Sequence, residues 1–249
     1  MSETAVPLSP AELDRFAEDY YLNEAVVDID IEELAQEHSI PAIVKAIGSA
    51  ARVLEMGFGT GLITRKLLEA GIQVEVVEGS PTLCDQARHR HPGLVVHEAM
   101  FEEFQPLEPY DAVLCLHVLE HVDEPVQVAA EFATWLVPGG RLVAVTPNAG
   151  SIHRHVAVRM GLHDNLDDLS ERDHLVGHKR VFTLDQLAGV LEAAGLQVTD
   201  RFGYFVKPLS NGQMLGWELA MLEAFNAISD VVPAELHANI GITATRPEI

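Results

Sequence analysis

Basic residues are scarce in this chain: 16 Lys and Arg stand against 38 Asp and Glu in 249 residues, a formal net charge of −22. Such a surface repels a phosphate backbone, so tRNA, rRNA and DNA are not expected as partners. The densest basic stretches, Arg88-His89-Arg90-His91 and His178-Lys179-Arg180, are too short to reverse that balance. Long apolar runs are also missing. None approaches the ~20 residues that cross a bilayer, and no leader-like pattern opens the chain, so a cytoplasmic protein with no membrane partner is expected. Cysteine is nearly absent, and the isolated Cys84 and Cys115 read as reduced packing thiols rather than a disulfide or a metal knuckle. No repeat or low-complexity tract is visible. The chain does have 48% hydrophobic residues, enough at this length for one α/β unit with decorations.

The most informative segment is Val53-Leu54-Glu55-Met56-Gly57-Phe58-Gly59-Thr60-Gly61. A short apolar run ends in an acid, three glycines alternate, and a helix-like stretch follows. Glycines so spaced let the backbone turn sharply after a strand and let a ligand approach main-chain N–H groups. A dinucleotide turn would carry its third glycine one place later, where Leu62 stands, which weighs against an NAD-dependent dehydrogenase. A phosphate loop would need Gly-Lys-Ser/Thr, and neither Lys nor Ser follows Gly61.

Further segments follow in a consistent order. Val74-Glu75-Val76-Val77 ends in Glu78, then Gly79-Ser80-Pro81. An acid at the tip of a second parallel strand is placed to accept hydrogen bonds from both hydroxyls of a ribose. Leu94-Val95-Val96 leads to Glu98-Ala99-Met100, Tyr110–Leu116 to His117-Val118-Leu119-Glu120-His121-Val122, and Leu136-Val137-Pro138-Gly139-Gly140 to Arg141-Leu142-Val143. Taken together, residues 53 to 146 resemble the S-adenosylmethionine-dependent methyltransferases with the Rossmann-like fold, including ubiquinone-biosynthesis-type and small-molecule O-methyltransferases. The resemblance implies S-adenosyl-L-methionine as cofactor. It implies a cofactor set of Glu55, Gly57, Gly59, Gly61, Glu78, Gly79, Ser80, Glu98, Ala99, Met100, Leu116 and Tyr20. Glu98 stands where family members usually carry an Asp near the adenine edge.

The alternation of strands and helices argues for a doubly wound, mostly parallel α/β sheet of seven strands with the last one reversed, as in that family. Residues 1–48 read as a helical N-terminal cover carrying Phe16, Tyr20 and Tyr21, with helices over Glu32–Ile47 broken at Pro41. Residues 49–146 form the cofactor-binding core, 147–181 an acceptor-site cover, and 182–249 the rest of the core with an insertion at 208–238. Ser80 caps a helix with Pro81 at its first position, and Asp123 does the same ahead of Pro125. Thr183-x-x-Gln186 forms a capping box for a helix ending at Gly195. Strands are expected over Leu196–Val206 and Ile240–Thr245, with a helix over Trp217–Ile228 between them.

The acceptor side is read from its histidines. Five of the 12 His fall in 147–181: His153, His155, His163, His174 and His178. Single histidines are mostly surface residues, but as a group they suit proton removal from a hydroxyl. His117 directly follows the fourth strand, and with Glu120 and His121 it would share one helical face if a helix starts there. His117, His178 and His153 are therefore the catalytic candidates, with a divalent metal on His117, Glu120 and His121 as the variant reading. The expected function is methyl transfer to a small-molecule hydroxyl or carboxyl oxygen, on a natural-product, sugar or quinone-like acceptor. The alternatives are N-methylation of a small metabolite and a catalytically silent cofactor-binding partner subunit. A homodimer is compatible with this reading.

Overall fold

Seven strands, β1 (Val53–Met56), β2 (Val74–Glu78), β3 (Val95–Glu98), β4 (Tyr110–Leu116), β5 (Leu136–Pro147), β6 (Gln197–Tyr204) and β7 (Asn239–Thr245), pair in the order β3-β2-β1-β4-β5-β7-β6. β7 runs antiparallel to both β5 and β6, and the other pairings are parallel. The computed structural model describes residues 9–21 and 28–248, without the side chains of Tyr20 and Ile29. All four residues of β1 and five of the seven in β4 are buried, as runs covered on both faces of a parallel sheet must be. Because β6 is parallel to the central strands, its last residue, Tyr204, lies at the same sheet edge as the ends of β1, β2, β4 and β5.

The helices are α1 (Pro10–Phe16, continued by a π-turn Ala17–Tyr21), α2 (Ile29–Ile47), α3 (Leu62–Glu69), α4 (Pro81–Arg90), α5 (Pro125–Thr134), α6 (Ile152–Arg159), α7 (Glu171–Leu175), α8 (Leu184–Ala193), α9 (Asn211–Met214) and α10 (Leu219–Asn226). On one face of the sheet Ile43, Ile47 and Leu67 of α2 and α3 pack on Val53, Leu114 and Val143. On the other, Phe132 of α5 and Leu187 and Leu191 of α8 pack with Trp135, Leu54 and Leu142. Truncating a fully buried leucine such as Leu67 to Ala costs about 2–5 kcal/mol.

Three local expectations are corrected. Pro41 does not break the N-terminal helix: α2 runs through it from Ile29 to Ile47. Ile31, Leu34 and Ala35 before the proline and Ile43, Ala46 and Ile47 after it are all buried, and this packing outweighs the lost helix bond. No helix begins at His117: residues 117–124 form a turn, and α5 starts only at Pro125. Asp123 does not cap α5. Glu124 is the residue before it, and the Asp123 carboxylate instead binds Lys179 at 2.7 Å. The Ser80 cap and the Thr183–Gln186 capping box form as expected.

Candidate functional site

Gly57, Gly59 and Gly61 adopt φ values of 84°, 51° and 77°, a region that costs glycine little. A Cβ at Gly57 would project into open space, and one at Gly61 would overlap the Phe58 ring at 2.4 Å. Phe58 tucked beneath the turn aims its own N–H at the tip of β2, where Glu78 Oε2 accepts it at 2.9 Å; Glu78 Oε1 accepts from Ser80 N at 2.8 Å. Burial pushes the Glu78 carboxyl up, and these main-chain donors oppose the shift. Each oxygen keeps a lone pair, so the fixed carboxylate fits a vicinal diol.

The remaining expected cofactor residues separate into those at this turn and those away from it. Gly79 is packed against Leu13 and Met100, and Ala99 N donates to Glu78 O at 3.0 Å, which joins the Glu98-Ala99-Met100 segment to the turn. Leu116 ends β4 half-buried. Ser80 Oγ caps α4 and donates to Asp14 Oδ1, while Thr82 N donates to the same oxygen at 3.0 Å. The α1 segment thus lies over the cofactor turns, with Ala17 fully buried and the Tyr21 ring facing Gly59. Glu55 is buried. Its 3% exposed carboxylate accepts from Thr64 Oγ1 at 2.6 Å, bracing α3 on β1, and burial pushes it up to about 8. Glu98 is exposed and held by Arg88 of α4 at 2.9 Å. The side chain of Tyr20 lies outside the described residues.

His117 sits one residue past β4 with φ 57°, where non-glycine residues are uncommon. Its N–H still donates to Val145 O at 2.9 Å, so the turn is fixed by the sheet. Nδ1 lies 3.1 Å from Glu120 Oε1, and Nε2 lies 3.1 Å from the hydroxyl of Tyr204. Burial alone would lower the imidazole pKa, but the Glu120 carboxylate reverses this and raises it. Glu120 is fully buried; burial would raise its pKa, and His117 brings it below the ordinary value. An ionised carboxylate only accepts, so Nδ1 carries the proton of the neutral ring and Nε2 is the acceptor.

His178 lies on the far side of Glu120. Its Nδ1 donates to Asp173 Oδ1 at 2.8 Å, and Asp173 pairs with the buried Arg154 at 2.8 Å. Burial would raise the Asp173 carboxyl, yet His178, Ser170 and Arg154 hold it well below the carboxylate range. The His178 ring meets His121 edge-on at 4.9 Å, and Lys179 N donates to Glu120 O at 2.8 Å, so the 147–181 cover is pinned to the turn after β4. The metal set read from the sequence is not assembled, because His117 and His121 leave Glu120 on different sides without a helix to align them. The donors that converge are those of Glu120, His121 and His178, within 4.8 Å of one another. His153 lies on α6, its Nδ1 buried without a hydrogen-bond partner, and burial followed by Lys207 and Arg154 keeps it neutral.

A second polar cluster was not apparent from the sequence. Arg172 of α7 pairs with Asp28 at 2.8 Å and Glu32 at 3.5 Å; Asn211 of α9 donates to both acids and accepts from Lys207 Nζ at 2.7 Å. This cluster joins the start of α2, the 147–181 cover and the insertion. Tyr204 was also missed, although an aromatic pair, Tyr204-Phe205, at the end of a strand predicted to reach the ligand edge was a usable signal.

A family model described as a methyltransferase domain matches residues 30–201. Among curated proteins, the chain is 30% identical over 171 residues to the ubiquinone biosynthesis O-methyltransferase of Aeromonas salmonicida, covering 66% of this chain and 71% of the relative. Two solved structures share the fold. One is a methyltransferase of Thermotoga maritima described as a possible histamine N-methyltransferase (TM-score 0.62, 19% identity, 94% of this chain and 98% of that one). The other is the Burkholderia thailandensis 1,6-didemethyltoxoflavin-N1-methyltransferase, solved with bound 1,6-didemethyltoxoflavin and S-adenosylhomocysteine (TM-score 0.60, 19% identity, 99% and 94%).

Proposed function

The chain belongs to the Rossmann-like S-adenosylmethionine-dependent methyltransferases acting on small molecules, and from that premise we propose that it methylates a hydroxyl oxygen with His117 as general base. The observation that carries this reading is the buried, ionised Glu120 holding His117 Nδ1 at the tip of β4, which strengthens the ring as a proton acceptor on the ligand edge. When bound, the cofactor supplies a methyl group on a positively charged sulfur. The chain's own part is to hold the ribose through Glu78, leave room along Gly57–Gly61 for the rest of the donor, exclude water, and accept a proton from the acceptor. The O-methyltransferase relatives support oxygen over nitrogen. His178 and His153 take no proton in this reading. The first anchors the cover through Asp173, and the second is neutral beside Lys207.

The test is a panel of phenols, catechols, aliphatic alcohols and hydroxy acids, run beside a matched panel of amines, with S-adenosylhomocysteine release as the signal. Turnover of hydroxyl compounds is expected, falling ~10²–10⁴-fold in His117→Ala with cofactor affinity within about twofold. A chelator should leave the rate unchanged; loss restored by a divalent cation would give the role to Glu120, His121 and His178. Turnover confined to amines, or unimpaired His117→Ala, overturns the proposal.

A further inference from the structure

Both ring nitrogens of His117 are already occupied: Nδ1 faces Glu120 and Nε2 faces the Tyr204 hydroxyl, each at 3.1 Å. In the neutral ring with its proton on Nδ1, facing the Glu120 carboxylate, Tyr204 O–H is the donor to Nε2. No nitrogen is left to meet an acceptor hydroxyl directly. The pair is fixed from both sides. Tyr204 is 5% exposed, ends β6 in register with Asn239, and precedes Phe205 at φ 63°; His117 follows β4 at φ 57°. Two non-glycine residues with left-handed backbone therefore flank one hydrogen bond, the kind of local strain that a functional arrangement retains. The charged groups facing the pair are Glu120 from the post-β4 turn and Glu32 from α2. Burial and these two acids keep the phenol protonated, so Tyr204 is suited to passing a proton on rather than serving as an anion. The His117 side chain retains 37% of its surface and Tyr204 5%, so the pair is reached from the histidine side.

We propose that Tyr204 is a catalytic proton relay: the acceptor hydroxyl donates to the Tyr204 oxygen while Tyr204 passes its own proton to His117 Nε2. The inference rests on His117 being the base. In this step the acceptor O–H bond breaks, and its oxygen keeps the electron pair that forms the new bond to the methyl carbon. The carbon–sulfur bond breaks with its pair left on sulfur. The Tyr204 O–H is broken and remade, and the proton ends on His117 as an imidazolium paired with Glu120. Solvent then removes it.

The experiment is a double-mutant cycle with Tyr204→Phe, His117→Ala and both together, using the fastest hydroxyl compound of the panel. Groups acting in series lose the same step, so each single variant should lower kcat by ~10²-fold or more, and the double variant should be no worse than the poorer single. KM and S-adenosylhomocysteine affinity should stay within about threefold, and the thermal midpoint of the Phe variant should stay near wild type, because only one hydroxyl is removed. Without acceptor, 15N spectra of the S-adenosylhomocysteine complex should show His117 Nε2 unprotonated in the neutral ring and its signal moved in Tyr204→Phe. A protonated Nε2 in the neutral ring, additive losses, or a Tyr204→Phe kcat within about threefold of wild type each overturn the relay. A competent Phe variant beside a dead His117→Ala leaves His117 as a direct base; two competent variants remove the base reading as well.

Discussion

The two halves of the ligand edge are built by different means. The proposed cofactor side is a backbone object: glycine φ values, strand ends and main-chain N–H groups around Glu78 define it within residues 57–80. The acceptor side is assembled from side chains far apart in sequence. His117 meets Tyr204 across 87 positions, and Asn211 meets Asp28 across 183. Backbone geometry leaves marks in a sequence because few residues tolerate it, whereas a charge network can be written in many ways. The cofactor half should therefore survive damage to the acceptor half, and the reverse should also hold.

The largest effect on this contrast is expected from Asp173→Ala. It leaves Arg154, with a side chain 7% exposed, without its carboxylate, and should cost about 3–5 kcal/mol in denaturant unfolding. Cofactor affinity of the remaining folded protein should change less than about threefold; a tenfold loss would show that the halves are not separable. Glu78→Ala is the converse test. Titration calorimetry should show S-adenosylmethionine binding weakened by about 1.5–3 kcal/mol, the worth of hydrogen bonds to a charged group, with kcat at saturating cofactor close to wild type.

A third effect is seen only as a change with pH and concerns Glu55. Its native pKa of about 8 lies above the ordinary 4.5, so the folded chain holds a proton that the unfolded chain releases. That contribution to stability is complete below about pH 4.5 and is lost as pH rises toward 8, at up to about 1.4 kcal/mol per pH unit. In Glu55→Gln this part of the decline between pH 5 and 8 should vanish. Parallel pH–stability curves for the two proteins would remove the assignment of Glu55 as a neutral brace on Thr64.

The same division explains what could be read beforehand. The alternation of strands and helices, the Ser80 and Thr183 caps and the position of Glu78 follow from glycines, prolines and apolar runs, each constrained locally, while the reversed β7 came only from the family resemblance. Continuity of α2 through Pro41 was not legible, because burial on the sheet outweighed a local rule. The pairing of Glu98 was not legible, because the arginine that holds it, Arg88, stands ten positions earlier on another element. The Glu120–His117–Tyr204 chain needed the fold: the His-x-x-Glu-His spacing suggested a helix, and the left-handed turn at His117 redirected its ring instead.

The position of β7 also has a consequence for the order in which the chain can become ordered during synthesis. Among the described residues β6 pairs with the sheet only through β7, which is made some thirty-five positions later and lies between β5 and β6. The strands β3-β2-β1-β4-β5, and with them the cofactor turns, can pair as soon as they leave the ribosome. Tyr204 has no ladder to hold it beside His117 until residues 239–245 insert, with Asn239 facing Pro147 on one side and Tyr204 on the other. A nascent chain would thus form the glycine turn and the Glu78 carboxylate site before the His117–Tyr204 pair on which the proposed relay rests.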